Sequence, residues 1–120
     1  MKPSEIITVD AKRNGVNPVP ILNQLGRNLK SKNAILMQSG NTVLVVNKIK
    51  KGAAELHLYT ADDRMAMIRA LREFIAKIRE TDLDAVYGKA DNPQIIQILK
   101  ALGVEVTDSD LPEYNWKALV

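Results

Sequence analysis

The stretch Ala54-Glu55-Leu56-His57-Leu58-Tyr59-Thr60-Ala61-Asp62-Asp63-Arg64-Met65-Ala66-Met67-Ile68-Arg69-Ala70-Leu71 changes its hydrophobic period midway. Up to Thr60 it alternates with period two, which buries one face of a strand. Beyond it, Met65, Ile68, Leu71, Ile75 and Ile78 recur every three or four residues opposite Arg69, Arg72, Glu73, Lys77 and Glu80. That is an amphipathic helix, and Asp62 or Asp63 can cap its N-terminus. Upstream, Ala34 to Gln38, the turn Ser39-Gly40-Asn41 and Thr42 to Val46 spell a hairpin. A second turn at Lys50-Lys51-Gly52 leads back to Ala54, so residues 34–60 form a three-stranded antiparallel meander.

Downstream, the apolar run Ala85-Val86-Tyr87 predicts a further strand. Asp91-Asn92-Pro93 then opens a second helix carrying Ile95, Ile96, Ile98, Leu99 and Leu102, which Gly103 stops. The chain finishes with Val104-Glu105-Val106, the polar turn Thr107 to Asp110 and the run from Tyr114 to Val120, whose ends suit a terminal hairpin. Before the meander, Ile6-Ile7-Thr8-Val9 has the β-branched character of a short strand, Asn14-Gly15 and Asn17-Pro18 punctuate a loop, and Ile21, Leu22, Leu25 and Leu29 suggest a helix from Pro20 to Lys30. The expected order is β, α, β-β-β, α, β, α, β-β: an α/β (α+β) fold with a mixed sheet and a right-handed strand-helix-strand crossover.

At 120 residues, 46% hydrophobic and 26% charged, the chain fits one globular domain with one core. The expected division is a strand and helix over 1–33, the meander over 34–60, helix-strand-helix-strand over 61–106, and a turn with a terminal strand over 107–120. No apolar run is long enough to span a bilayer, and the N-terminus lacks an apolar signal core, so a soluble, unexported protein without membrane contact is expected. Zero cysteines and a single histidine, His57, argue against a disulfide, a thiolate zinc site or any resident metal. Residues 1–52 hold nine Lys or Arg against Glu5 and Asp10, whereas the remainder holds eight against twelve acids. Two differently solvated faces would explain that asymmetry, and so would a basic surface for nucleic acid or an acidic partner. Tyr114 and Trp116 share one face of a strand, where they pack on the sheet or on another subunit through the terminal hairpin.

Two segments carry a family resemblance. The stretch Leu56 to Leu71 and the run Asn92-Pro93-Gln94-Ile95-Ile96-Gln97-Ile98-Leu99-Lys100-Ala101-Leu102-Gly103-Val104, with its early Asn and Leu-Gly ending, are similar to the GNAT (N-acetyltransferase) superfamily over about residues 34–120. The resemblance implies a GNAT-like mixed sheet and, around the first helix, a site for acetyl-CoA. Tyr59, Arg64, Met65, Ala66 and Asn92 occupy the corresponding positions. Short phage-encoded GNAT-like proteins, including internal virion proteins, are similar from Arg69 to Val106.

The departures from the family pattern bear on activity. GNAT enzymes cradle pyrophosphate on a Gly-rich loop opening that helix, and here Met65, Ala66, Met67 and Ile68 stand where glycines belong. Asp62 and Asp63 would add negative charge there, each pair costing on the order of 1 kcal/mol. The tyrosine that protonates the departing thiolate in the family aligns with Leu99. For a base, only Glu55 and His57 lie near, each of which also reads as an ordinary strand residue. About 33 residues precede the meander, fewer than the family's two acceptor-side helices would occupy. The expectation is therefore a non-catalytic GNAT-like binding or structural component, of the cytoplasm or a virion, with no catalytic residue and no cofactor. The alternatives are a divergent acetyl-CoA-dependent N-acyltransferase, which requires an open gap between the strands at Tyr59 and Tyr87, and a module for nucleic acid or an acidic partner.

Overall fold

A computed structural model describes residues 1–89 and 93–120. Its elements are α1 (Pro3–Arg13), α2 (Pro18–Lys30), β1 (Ala34–Ser39), β2 (Thr42–Lys50), β3 (Ala53–Thr60), α3 (Arg64–Arg79), β4 (Ala85–Gly88), α4 (Pro93–Ala101), β5 (Glu105–Asp108) and β6 (Trp116–Leu119). The six strands form one mixed sheet in the order β1-β2-β3-β4-β6-β5. All neighbours are antiparallel except β3 and β4, which α3 joins in parallel. The meander, the crossover and the terminal hairpin thus form as the residue pattern requires.

The period-two alternation sorts side chains between two layers. Leu44, Val46, Ala54, Val86, Trp116 and Ala118 face Leu71, Phe74 and Ile78 of α3 and Ile98 and Leu99 of α4. On the other side, Val43 and Val45 meet Ile6 of α1 and Leu25 of α2. The sheet is therefore covered on both faces, one pair of helices to each.

One element differs from its sequence reading. Ile6 to Val9 is not a strand but the middle of α1. Four β-branched residues favour a strand locally, yet the wider window carries helix signals: Pro3 in the first turn, Glu5 accepting a hydrogen bond from the Lys2 amide (2.9 Å), and Asn14-Gly15 ending the helix with Gly15 at φ 69°. Burying Ile6, Ile7 and Ala11 on the sheet then decides the matter. α2 starts at Pro18, two residues earlier than its apolar spacing suggests, because the Asn17 side chain accepts from the Val19 amide (3.1 Å). Two helices therefore do fit ahead of the meander, in place of the expected strand and one helix.

Asp62 also takes a position that sequence did not foresee. It turns away from the α3 N-terminus toward the β1–β2 turn, where its Oδ2 accepts from the Asn41 amide (2.9 Å) and the Thr42 hydroxyl (2.8 Å). Thr42 is fully buried, so Asp62→Ala removes one acceptor from its hydroxyl, which keeps only Thr60 Oγ1 at 2.8 Å, and takes the acceptor from the half-buried Asn41 amide. The expected loss is about 1–3 kcal/mol, read as a lower urea midpoint with an unchanged slope.

Candidate functional site

The pairing of β3 with β4 is short. It runs Ala53↔Ala85, Ala54↔Val86 and Glu55↔Tyr87, and β4 ends at Gly88 while β3 continues to Thr60. The Gly88 carbonyl accepts instead from the Asn115 amide (2.9 Å), and the Lys89 carbonyl from the Asn115 side chain (2.6 Å), which draws the end of β4 toward β6. The two parallel strands splay, and the splay opens to both faces of the sheet.

On the helix α2 side lies a pocket of about 490 Å³, floored by Val45, Asn47, Glu55, His57 and Tyr59 and walled by Ile21, Gln24 and Asn28. On the α3–α4 side lies a smaller chamber of about 130 Å³, lined by Leu44, Leu56, Leu58, Leu71, Ile95, Leu99, Gly88, Lys89 and Trp116. His57 and Tyr59 border both, so the two cavities flank the same stretch of β3 beside the splay. Met65 does not plug the gap, being 65% exposed.

The polar pocket centres on a pair of side chains that strand parity places on one face. His57 Nε2 and Glu55 Oε1 are in direct hydrogen-bond contact. The Asn47 amide nitrogen also approaches Oε1 (3.4 Å), and the Lys89 ammonium stands 4.0 Å from Oε2. The bond to His57 is the main cause that holds the Glu55 carboxyl down to about 2, against the opposing effect of burial, with help from Tyr114 and Lys89. Burial, followed by the neighbouring Glu55, pushes the Tyr114 hydroxyl above its ordinary range. Tyr59, stacked on His57 with ring centroids 6.4 Å apart, is raised by burial and then by Asp10 and Glu55.

A depressed carboxyl links to stability with a definite sign. Glu55 stabilises the folded chain fully above its unfolded value of about 4.5, and that contribution disappears as pH falls toward about 2. Solvent reaches part of the group, so the effect is on the order of 1 kcal/mol. Urea unfolding of the wild type and Glu55→Gln is expected to show a stability gap above pH 5 that closes on acidification through this window.

Of the five positions implied by the resemblance, the four among the described residues are not brought together into one site. Tyr59 lines both cavities. Arg64 instead borders an outer groove between α3 and α4 with Arg72 and Gln97, and Met65 projects outward. The Ala66 amide donates to the Asp63 side chain (2.9 Å), so the helix's own cap occupies the donor a phosphate would take. Of the two acids expected to repel an anion there, only Asp63 stands at the helix end. Asn92 lies outside the described residues. Leu99 is buried in the chamber wall and donates nothing. Sequence offered Glu55 and His57 as separate candidates for a base and Trp116 as a packing residue; the hydrogen-bonded pairing of the first two and the place of Trp116 at the chamber were not foreseen. Trp116 is only 5% exposed, turned into the core, so it does not offer a face to a second subunit.

No protein-family model and no curated protein matches the chain in sequence. In structure it is similar to a ribosomal-protein-alanine N-acetyltransferase from Brucella melitensis, with a TM-score of 0.55 and 14% identity over 87% of this chain and 76% of that one. At that identity the likeness shows the fold, which is GNAT-like. Among the described residues no helix is long and apolar enough to cross a membrane.

Proposed function

We propose that this chain is an N-acyltransferase that grips an acyl thioester through the splay rather than through its phosphates. The observation that carries this reading is an apolar chamber and a polar, carboxylate-bearing pocket flanking one stretch of β3 at His57 and Tyr59. Two substrates approaching from opposite faces of one sheet need that arrangement, and holding them in contact supplies much of the rate. The acyl group lies in the chamber and a primary amine enters beside α2. The amine nitrogen attacks the thioester carbonyl carbon, a C–N bond forms and the C–S bond breaks. The Glu55–His57 pair accepts the amine's proton, since imidazole is the side chain suited to exchange near neutral pH. Lys89, at the chamber and close to Glu55, offsets the charge of the departing thiolate, which takes its proton from solvent.

The α3 N-terminus does not fit a pyrophosphate, because Asp63 already occupies it. A donor held by its acyl arm alone should be used as well without its nucleotide. Transfer of labelled acetyl from S-acetylpantetheine and from acetyl-CoA to a panel of amines is expected to give similar kcat/KM for the two donors. Transfer no faster than heat-inactivated protein with every amine would remove the reading.

A second reading, a non-catalytic GNAT-like binding component such as a virion protein, is favoured by the same Asp63 cap and by Leu99 in place of an acid. It predicts a bound ligand or partner without turnover. A nucleic-acid module gains less support, since Phe74, Tyr87 and Trp116 are buried and offer no stacking platform.

A further inference from the structure

Trp116 carries a buried indole N–H with no hydrogen-bond partner among the described residues. Leaving such a donor unpaired costs free energy of the order of a lost hydrogen bond, so its position calls for a ligand acceptor. The side chain is 5% exposed, so bulk water does not satisfy it. The indole lies directly against Gly88, whose missing side chain alone admits it: a Cβ there would overlap Cζ2 and Cε2 and sit 2.5 Å from Nε1. Trp116 and Gly88 both line the apolar chamber at the splay. Its volume, about 130 Å³, equals roughly four waters. Leu44, Leu56, Leu58 and Leu99 supply apolar walls with no side-chain acceptor for the indole.

We infer that the Trp116 indole N–H is the donor that binds a carbonyl oxygen of a small uncharged acyl group inside this chamber. The identity of that carbonyl, a thioester, rests on the acyltransferase reading; the donor and its chamber do not. A largely apolar wall with a fixed indole donor suits a short acyl chain bearing one acceptor. Trp116 is thus a specificity-determining residue on a strand remote in sequence from the Glu55–His57 pair.

The chain has a single tryptophan, so its ¹⁵N-labelled indole gives one resonance. The probes are S-acetylpantetheine and S-ethylpantetheine, the thioether that lacks the carbonyl. The thioester is expected to move the indole N–H resonance downfield, and the thioether to bind more weakly and leave it near its free position. Trp116→benzothienylalanine, which replaces N–H by sulfur with little change of shape, is expected to weaken thioester binding roughly three- to tenfold and to erase the preference over the thioether. Trp116→Phe, checked for folding by circular dichroism, should lose the same preference. Equal binding of both probes, an unmoved indole resonance on saturation, or no binding of either would overturn the assignment. Acetyl transfer alongside separates the two claims: turnover with an unmoved indole resonance refutes the donor role alone, and a moved resonance without turnover refutes only the enzymatic reading.

Discussion

Replacing Gly88 with alanine is expected to destabilise the fold by about 3 kcal/mol. Gly88 on β4 pairs directly with Trp116 on β6, and both point toward α3 and α4. The new Cβ would overlap the indole ring, which is rigid and 5% exposed, so the ring cannot keep its place over residue 88. Either the indole leaves the chamber wall or β4 separates from β6, and each outcome removes core contacts. The expected result is a lower urea midpoint together with a red shift of the single tryptophan's emission. Unchanged stability with unchanged emission would show that the indole does not lie over Gly88.

Loss of the His57 side chain is the second large effect, this one on rate. His57→Ala removes the imidazole that borders both cavities and strips Glu55 of its principal hydrogen-bond partner. General acid-base catalysis is worth about 10²- to 10⁴-fold, so kcat/KM for acyl transfer is expected to fall at least about a hundredfold. The side chain is 35% exposed, so the fold should persist with a loss of no more than about 1 kcal/mol from the Glu55 bond. His57→Ala also raises the Glu55 carboxyl toward its ordinary value, because the cause that depresses it most is gone. A variant that retains full activity would show that the pair is structural.

Much of the fold was legible because its signals are local. The alternation from Ala54 to Thr60, the three- and four-residue spacing of α3 and the turn at Ser39-Gly40-Asn41 each announce their element within a few residues. Ile6 to Val9 misled for the same reason: its four residues speak for a strand, and the flanking helix signals at Pro3, Glu5 and Gly15, with burial against β2 and β3, make them a helix. The site was partly readable. Parity along β3 places Glu55, His57 and Tyr59 on one face, which is how the acid and the imidazole meet. Trp116 over Gly88 and Asp62 at the β1–β2 turn were not, because each depends on a partner distant in sequence to which no periodicity points. Asp62 carries the same charge wherever it faces, but tertiary contacts choose the hairpin and leave Asp63 alone to cap α3.

The most direct test of the central claim is thermal unfolding of the wild-type chain with millimolar S-acetylpantetheine, acetyl-CoA or inorganic phosphate. A ligand at about a hundred times its dissociation constant adds roughly 2.7 kcal/mol, several degrees for a domain of this size. The account predicts a similar rise in Tm with both thioesters and none with phosphate. A folded sample whose Tm neither thioester moves would contradict it.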